Sequence, residues 1–179
     1  MLHGTAVYLK LFELSDAENL LKLQLHNKDF FEQFSMERPS NYYSLENQKN
    51  LIKNWELSSQ EDSIYQFGIF QKETNQLLGT INLFQVTRGS LQSAIIGYFL
   101  DLEQNGKGYA SEAVKLLIEY AFNTLKLHRI EAGVMPHNIG SIKVLEKSGF
   151  HKEGIAKKNV KINGKWEDHQ VLAIINPND

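Results

Sequence analysis

Between residues 91 and 126 the hydrophobic period changes once, and that change limits the fold more than any other feature. Residues 91–101 (LQSAIIGYFLD) read as a strand. Residues 107–126 place Ala110, Ala113, Val114, Leu117, Ala121 and Leu125 at the i, i+3, i+4, i+7 spacing of an amphipathic helix. Joining them is Gln104-Asn105-Gly106-Lys107-Gly108-Tyr109-Ala110-Ser111. Two glycines let the backbone turn its N–H groups inward with no Cβ in the way. The helix adds free amides and the positive end of its dipole. Such a turn either simply starts a helix or holds an anion such as a pyrophosphate, with Lys107 as a further point charge.

Strands at 64–70 and 77–84 come before, linked by the short turns ETNQ and TRGS, which implies antiparallel hairpins. Nearer the N-terminus, 4–12 alternates like a half-buried strand. Ser15 and Glu18 have capping-box spacing for a helix burying Leu20, Leu21 and Leu25. A second helix over 44–58 puts Leu45, Ile52 and Trp55 near one face, and 28–43 is an aromatic, irregular connection. After the long helix come a strand (129–135) and a helix (138–148) with Asn138 as N-cap and Gly149 past its end. A closing hairpin turns at Asn163-Gly164, a pair that favours type I′. The order β-α-α-β-β-β-α-β-α-β-β predicts a mixed α/β (α+β) fold with a mostly antiparallel sheet of six to seven strands and about four helices. No linker or repeat divides residues 1–179, so one domain is expected.

Composition narrows the chemistry. A chain of 179 residues, 42% hydrophobic and with net charge −2, suits a single globular core. It has no cysteine, which removes disulfides, thiolate zinc sites and an acyl-cysteine intermediate. A cytoplasmic setting fits. No run of about eighteen apolar residues is present, and the N-terminus lacks the basic and apolar regions of a signal peptide. No membrane or nucleic-acid partner is expected. The six histidines show no HExxH or comparable spacing, so no metal is expected. Net charge conceals a split: residues 1–103 carry −5, 104–165 carry +6 and the last fourteen −3. Such a chain could hold a polyanion on one side and a cation on the other, or simply scatter charge over its surface.

Which anion the loop suits can be narrowed. The Walker A pattern is absent. A dinucleotide fingerprint is partly matched by Gly106-x-Gly108-x-x-Ser111, with Glu131 about twenty residues on. Against it, the third glycine is Ser111, Glu131 lies inside its strand, and hairpins precede the unit.

The stretch Asn105-Gly106-Lys107-Gly108-Tyr109-Ala110 resembles the Gln/Arg-x-x-Gly-x-Gly/Ala loop of the Gcn5-related N-acetyltransferases. Gly106-Lys-Gly-Tyr-Ala-Ser-Glu-Ala113 is similar to the branch containing the ribosomal-protein alanine and serine N-terminal acetyltransferases. Two further blocks agree: His128-Arg129-Ile130-Glu131-Ala132 with Asn138 to Phe150, and Asn163-Gly164-Lys165-Trp166-Glu167-Asp168-His169. The resemblance implies a slot between the splayed fourth and fifth strands of the predicted order (91–101 and 129–135). There the pantetheine arm of acetyl-CoA would lie like an added strand. It implies that backbone at Leu100 and Leu102 meets the cofactor, that Asn105, Gly106, Lys107, Gly108, Tyr109 and Ala110 surround its phosphates, and that Asn138 contacts the pantetheine.

The resemblance also implies direct transfer from thioester to amine, with a backbone N–H polarising the carbonyl. Many relatives use a tyrosine to protonate the departing thiolate; here that position is Leu145, and Ser141 is the hydroxyl implied to take its place. A serine is a weak acid, so it is expected to hydrogen-bond to sulfur more than to donate its proton, if it is not merely a helix-turn hydroxyl. Relatives' glutamates fall at Ile95 or Ile96 and at Val160, leaving Glu103, Glu131, His137 or an ordered water as the base. Asp29, Glu32, Glu37, Glu61 and Asp62 are candidates to attract a cationic acceptor.

The leading expectation is an acetyl-CoA-dependent N-acetyltransferase acting on a peptide N-terminus or a small amine such as a polyamine or aminoglycoside. A non-catalytic acyl-CoA-binding module is the alternative, and the chain is expected to be a monomer or homodimer.

Overall fold

A computed structural model describes all of residues 1–179. Its eight strands form one sheet: β1 (Leu2–His3), β2 (Val7–Leu11), β3 (Tyr65–Gln71), β4 (Leu77–Thr87), β5 (Ser93–Leu100), β6 (Arg129–Val134), β7 (His151–Ile162) and β8 (Lys165–Ile175). The spatial order is β1-β2-β3-β4-β5-β6-β8-β7. Every neighbouring pair is antiparallel except β5–β6, which is parallel. The five helices are α1 (Ala17–His26), α2 (Lys28–Glu32), α3 (Leu45–Gln60), α4 (Tyr109–Asn123) and α5 (Ile139–Lys147).

The expected counts were one strand and one helix short. Strand β1 has only two residues, too few to alternate visibly, and α2 is a five-residue helix inside the segment read as irregular. The N-terminal helix also starts differently. Glu13 N–H donates to Asp16 Oδ2 at 2.8 Å, a 3-10 turn over Leu14–Asp16 precedes α1, and the Ser15–Glu18 box is not used. This rotates the buried stripe to Ala17, Leu20 and Leu23 and leaves Leu25 half exposed.

The sheet is covered on both faces. Helices α4 and α5 bury Ala113, Val114, Leu117, Ile142 and Leu145 against Val7, Leu9, Phe67, Ile69, Ile81 and Ile96 in the larger core. Helices α1 to α3 bury Leu20, Leu23, Phe31 and Ile52 against Phe12, Phe70 and Leu77 in a smaller one. Cover on both faces explains why β3 is buried at every residue but its last, the polar Gln66 included. At the far end, Asn163 (φ 46°) and Gly164 (φ 83°) both adopt positive φ, the backbone of the expected I′ turn.

Candidate active site

Pairing between β5 and β6 stops almost as soon as it starts. Ser93 faces Arg129, Ala94 faces Ile130 and Ile95 faces Glu131, and no pair follows. Beyond that point the strands diverge, so the expected splay is present. The β4–β5 ladder tells which backbone groups line the gap. Asp101 N–H donates to Leu78 O at 2.8 Å, and pairing continues from Leu100–Gly79 back to Ile95–Phe84 without a slip. Antiparallel ladders alternate hydrogen-bonded and non-hydrogen-bonded pairs. The C=O of Ile96 and the N–H and C=O groups of Tyr98 and Leu100 therefore point away from β4, into the gap, while Ile96 N–H closes the last rung on Glu131 O. Leu102 is placed otherwise: its N–H already donates to Asn27 Oδ1 at 3.0 Å.

One end of the gap is the glycine turn. Gly106 (φ 80°) and Gly108 (φ 83°) are left-handed, a conformation that side chains with a Cβ rarely tolerate. Gly108 is the N-cap of α4, and a Cβ at either glycine would point into open space, so the backbone geometry and not crowding selects glycine here. The exposed loop and the first-turn amides of Tyr109, Ala110 and Ser111 together make a cradle that an anion can enter. Asn105 N–H caps the preceding 3-10 turn on Leu102 O, Lys107 Nζ donates to Gln104 Oε1 at 3.1 Å, and the Tyr109 hydroxyl accepts from Gln71 Nε2 at 3.2 Å. All six loop residues named from the sequence thus lie at one place.

Across the gap, α5 begins. Asn138 Oδ1 caps it by accepting from Ser141 N–H at 3.3 Å. The Ser141 hydroxyl lies 2.6 Å from the Tyr98 hydroxyl, a contact between strand β5 and helix α5 that sequence reading missed. Burial pushes the Tyr98 phenol up from its ordinary value, so it stays protonated at neutral pH. Leu145 is fully buried in the main core.

The mouth of the gap is roofed by the α2–α3 connection. Phe34 stacks on His137 with ring centres 6.1 Å apart, and Asn163 N–H at the hairpin tip donates to Ser35 O at 2.8 Å. Arg38 braces this roof, donating to Tyr43 Oη at 2.9 Å and Ser35 Oγ at 3.2 Å while lying over the Tyr42 ring.

Of the candidate bases, Glu131 is held by Arg129 at 2.9 Å and Glu103 faces His26 at 3.3 Å. His137 alone stands under the roof. Among the acidic residues proposed to attract an acceptor, Asp62 does not fit that role. Arg88 grips it at 2.7 and 3.0 Å, and the Tyr65 hydroxyl donates to it at 2.5 Å. Arg88 lies beyond the starting end of β5, whereas the glycine turn follows its finishing end. Histidine spacing also missed one convergence in space: ligand atoms of His26, Asp101 and Glu103 lie within 4.8 Å of one another. His26 and Glu103 line a cleft of about 430 Å³ together with Asn27, Lys28 and Leu102.

This geometry can be set beside known proteins. Residues 7–151 match the Acetyltransferase (GNAT) domain. The chain is 59% identical to the Bacillus subtilis protein named Probable N-acetyltransferase YjcK, over 100% of this chain and 99% of that one. It superposes on the ribosomal-protein-S5-alanine acetyltransferase of Vibrio fischeri with a TM-score of 0.92 at 31% identity, covering 98% of this chain and 96% of that one. Mycobacterium smegmatis RimJ in complex with CoA-disulfide gives a TM-score of 0.91 at 26% identity, covering 96% and 83% respectively. A splayed parallel pair, a glycine turn into a helix and a domain match over most of its length agree, and the chain belongs to the GNAT family of acetyltransferases.

Proposed function

We propose that this N-acetyltransferase passes the acetyl group of acetyl-CoA directly to the α-amine of a protein N-terminus. The observation that carries the proposal is the gap where β5–β6 pairing ends after Ile95–Glu131, with the backbone groups of Tyr98 and Leu100 turned into it. An extended pantetheine arm can hydrogen-bond there as a strand would. Its pyrophosphate then reaches the cradle of Gly106 to Ala110, where Lys107 adds charge. The peptide reading is supported by the resemblance to the S5-alanine enzyme. A protein acceptor of that kind supports a cytoplasmic setting for the reaction.

The chain's own groups then divide the work. A slot-facing backbone N–H polarises the thioester carbonyl. The amine nitrogen attacks, entering under the roof of Phe34 and His137. The amine arrives neutral or loses its proton to His137, which stands under that roof, or to water. Ser141 Oγ–H hydrogen-bonds to the departing sulfur, and Asn138 fixes the start of α5 that carries it. No cysteine exists to form an acyl-cysteine, which supports direct transfer.

The test is thiol release with acetyl-CoA and a panel: a peptide beginning with alanine, the same peptide with a blocked N-terminus, spermidine and an aminoglycoside. The free peptide is expected to gain one acetyl group by mass and the blocked one none. Turnover of a small amine with no turnover of any peptide would overturn the acceptor assignment.

A further inference from the structure

The Tyr98–Ser141 contact is not explained by packing alone. Tyr98 belongs to the set of β5 residues, with Ala94, Ile96 and Leu100, that face the α4–α5 side of the sheet. Its ring packs on that core, while its hydroxyl makes one hydrogen bond, to Ser141 Oγ at 2.6 Å. Burial pushes the phenol up from its ordinary value, and its one hydrogen bond is to the serine. The Ser141 hydroxyl in turn has no other partner, and one turn further along this face of α5 stands the apolar Leu145.

Two hydroxyls facing each other can share only one of their protons. If Tyr98 donates, Ser141 Oγ uses a lone pair to accept, and its own proton is left to point elsewhere. The strand and helix carrying this pair flank the gap, so the released direction is the gap itself. Donation by the phenol also polarises the serine O–H and makes it a better donor in turn.

We infer that Tyr98 is a positioning residue for acetyl transfer, donating its O–H to Ser141 Oγ so that the serine proton is turned toward the departing sulfur. The inference rests on the assignment of Ser141 to the sulfur made above. The step balances without either hydroxyl ionising. The amine lone pair forms the C–N bond, and the C–S electron pair leaves on sulfur. The nitrogen sheds one proton to solvent, and the thiolate, held by Ser141 O–H, takes one from solvent to become free CoA. Tyr98 and Ser141 keep their protons throughout.

The experiment uses the full-length protein with CoA and needs no acceptor. The thiolate ultraviolet absorbance of bound CoA is followed against pH, with the CoA-free protein subtracted, for the native chain, Tyr98→Phe, Ser141→Ala and the double variant. A hydrogen-bond donor to sulfur favours the thiolate, so the native complex is expected to titrate below free CoA. Ser141→Ala is expected to raise the bound thiol's pKa by about one unit, the size of a hydrogen bond to a charged group. Tyr98→Phe should raise it by roughly half that, and the double variant no further than Ser141→Ala, because the tyrosine acts through the serine. A packing role alone would leave the thiol's pKa where it was. A native value in Tyr98→Phe beside a shifted one in Ser141→Ala overturns the inference and leaves the serine assignment standing. No shift in either variant overturns both, and failure of CoA to bind the native chain overturns the cofactor reading itself. Since Tyr98→Phe removes only a hydroxyl, an unchanged thermal midpoint confirms that the fold is intact.

Discussion

Gly108 shows how far a single residue can be read. Its φ of 83° at the N-cap of α4 is a backbone requirement that only glycine meets without strain, so the sequence signal and the geometry coincide. Gly108→Val should raise the acetyl-CoA Kd by at least about tenfold, since left-handed strain costs about 1–2 kcal/mol and the added methyls crowd the cradle. Calorimetric titration checks this, and native affinity would remove the loop from the phosphate site. Tyr98 is the opposite case. It lies 43 positions from Ser141, and only the crossing of β5 past α5 joins them, so no local pattern marks it. Asp62 was misjudged for a related reason: counting charges cannot reveal that Arg88 already holds it. That grip has a pH signature. Arg88 depresses the Asp62 carboxyl below its ordinary value, and Arg129 with His151 holds Glu153 down to about 2. A carboxyl depressed in the folded state stabilises above its unfolded pKa and loses that contribution as pH falls through the folded one. Stability should therefore decline with acid from about pH 4.5 toward pH 2. Asp62→Asn should flatten the part of this decline below about pH 4 in urea melts. Solvent exposure of these pairs keeps the effect modest, and high salt should shrink it.

At the scale of elements, α4 was legible because its apolar stripe and its glycine start agree. The anchor on its first turn was not. Glu112 accepts from the backbone N–H groups of Thr5, Ala6 and Val7, pinning the turn into β2 onto the start of the helix that follows the glycine loop. A glutamate in a first turn looks like an ordinary dipole partner, and its long-range role appears only once the sheet brings β2 beside α4. Glu112→Ala should cost about 1–2 kcal/mol in chemical denaturation, a discounted value for charged hydrogen bonds at a partly exposed site. Loss of only a few tenths would show the contact to be incidental. The α1 error has a simpler cause: two acceptable caps, Glu13–Asp16 and Ser15–Glu18, lie within one turn. The cap chosen is the one that turns Leu23 into the core in place of Leu25.

Across the whole molecule, the hairpin β7–β8 reaches over from the far end of the sheet to meet Ser35 through Asn163. The roof of the gap is therefore assembled from segments well over a hundred residues apart, and on the proposed reading acceptor choice is distributed between them. Arg38→Ala removes the brace between Tyr43 and Ser35. It should raise the KM for a peptide acceptor several-fold while leaving the Kd for acetyl-CoA within about twofold, because the loop proposed to take the phosphates lies elsewhere. Equal loss of both would mean that roof and cofactor site are one unit. The hairpin turn itself was plain from Asn163-Gly164, but its landing place was not, because docking depends on strand length and sheet twist together.

The early end of the β5–β6 ladder has one more consequence. A sheet with a missing rung is a place where stability has been left on offer. Substitutions that let β5 and β6 zip further, or a strap linking them beyond Ile95 and Glu131, should make the protein harder to unfold and useless as a catalyst. Selection for robustness and selection for turnover pull in opposite directions at that seam. On the proposed reading, the arriving coenzyme reconciles them by lending the sheet the missing strand for the length of each catalytic cycle.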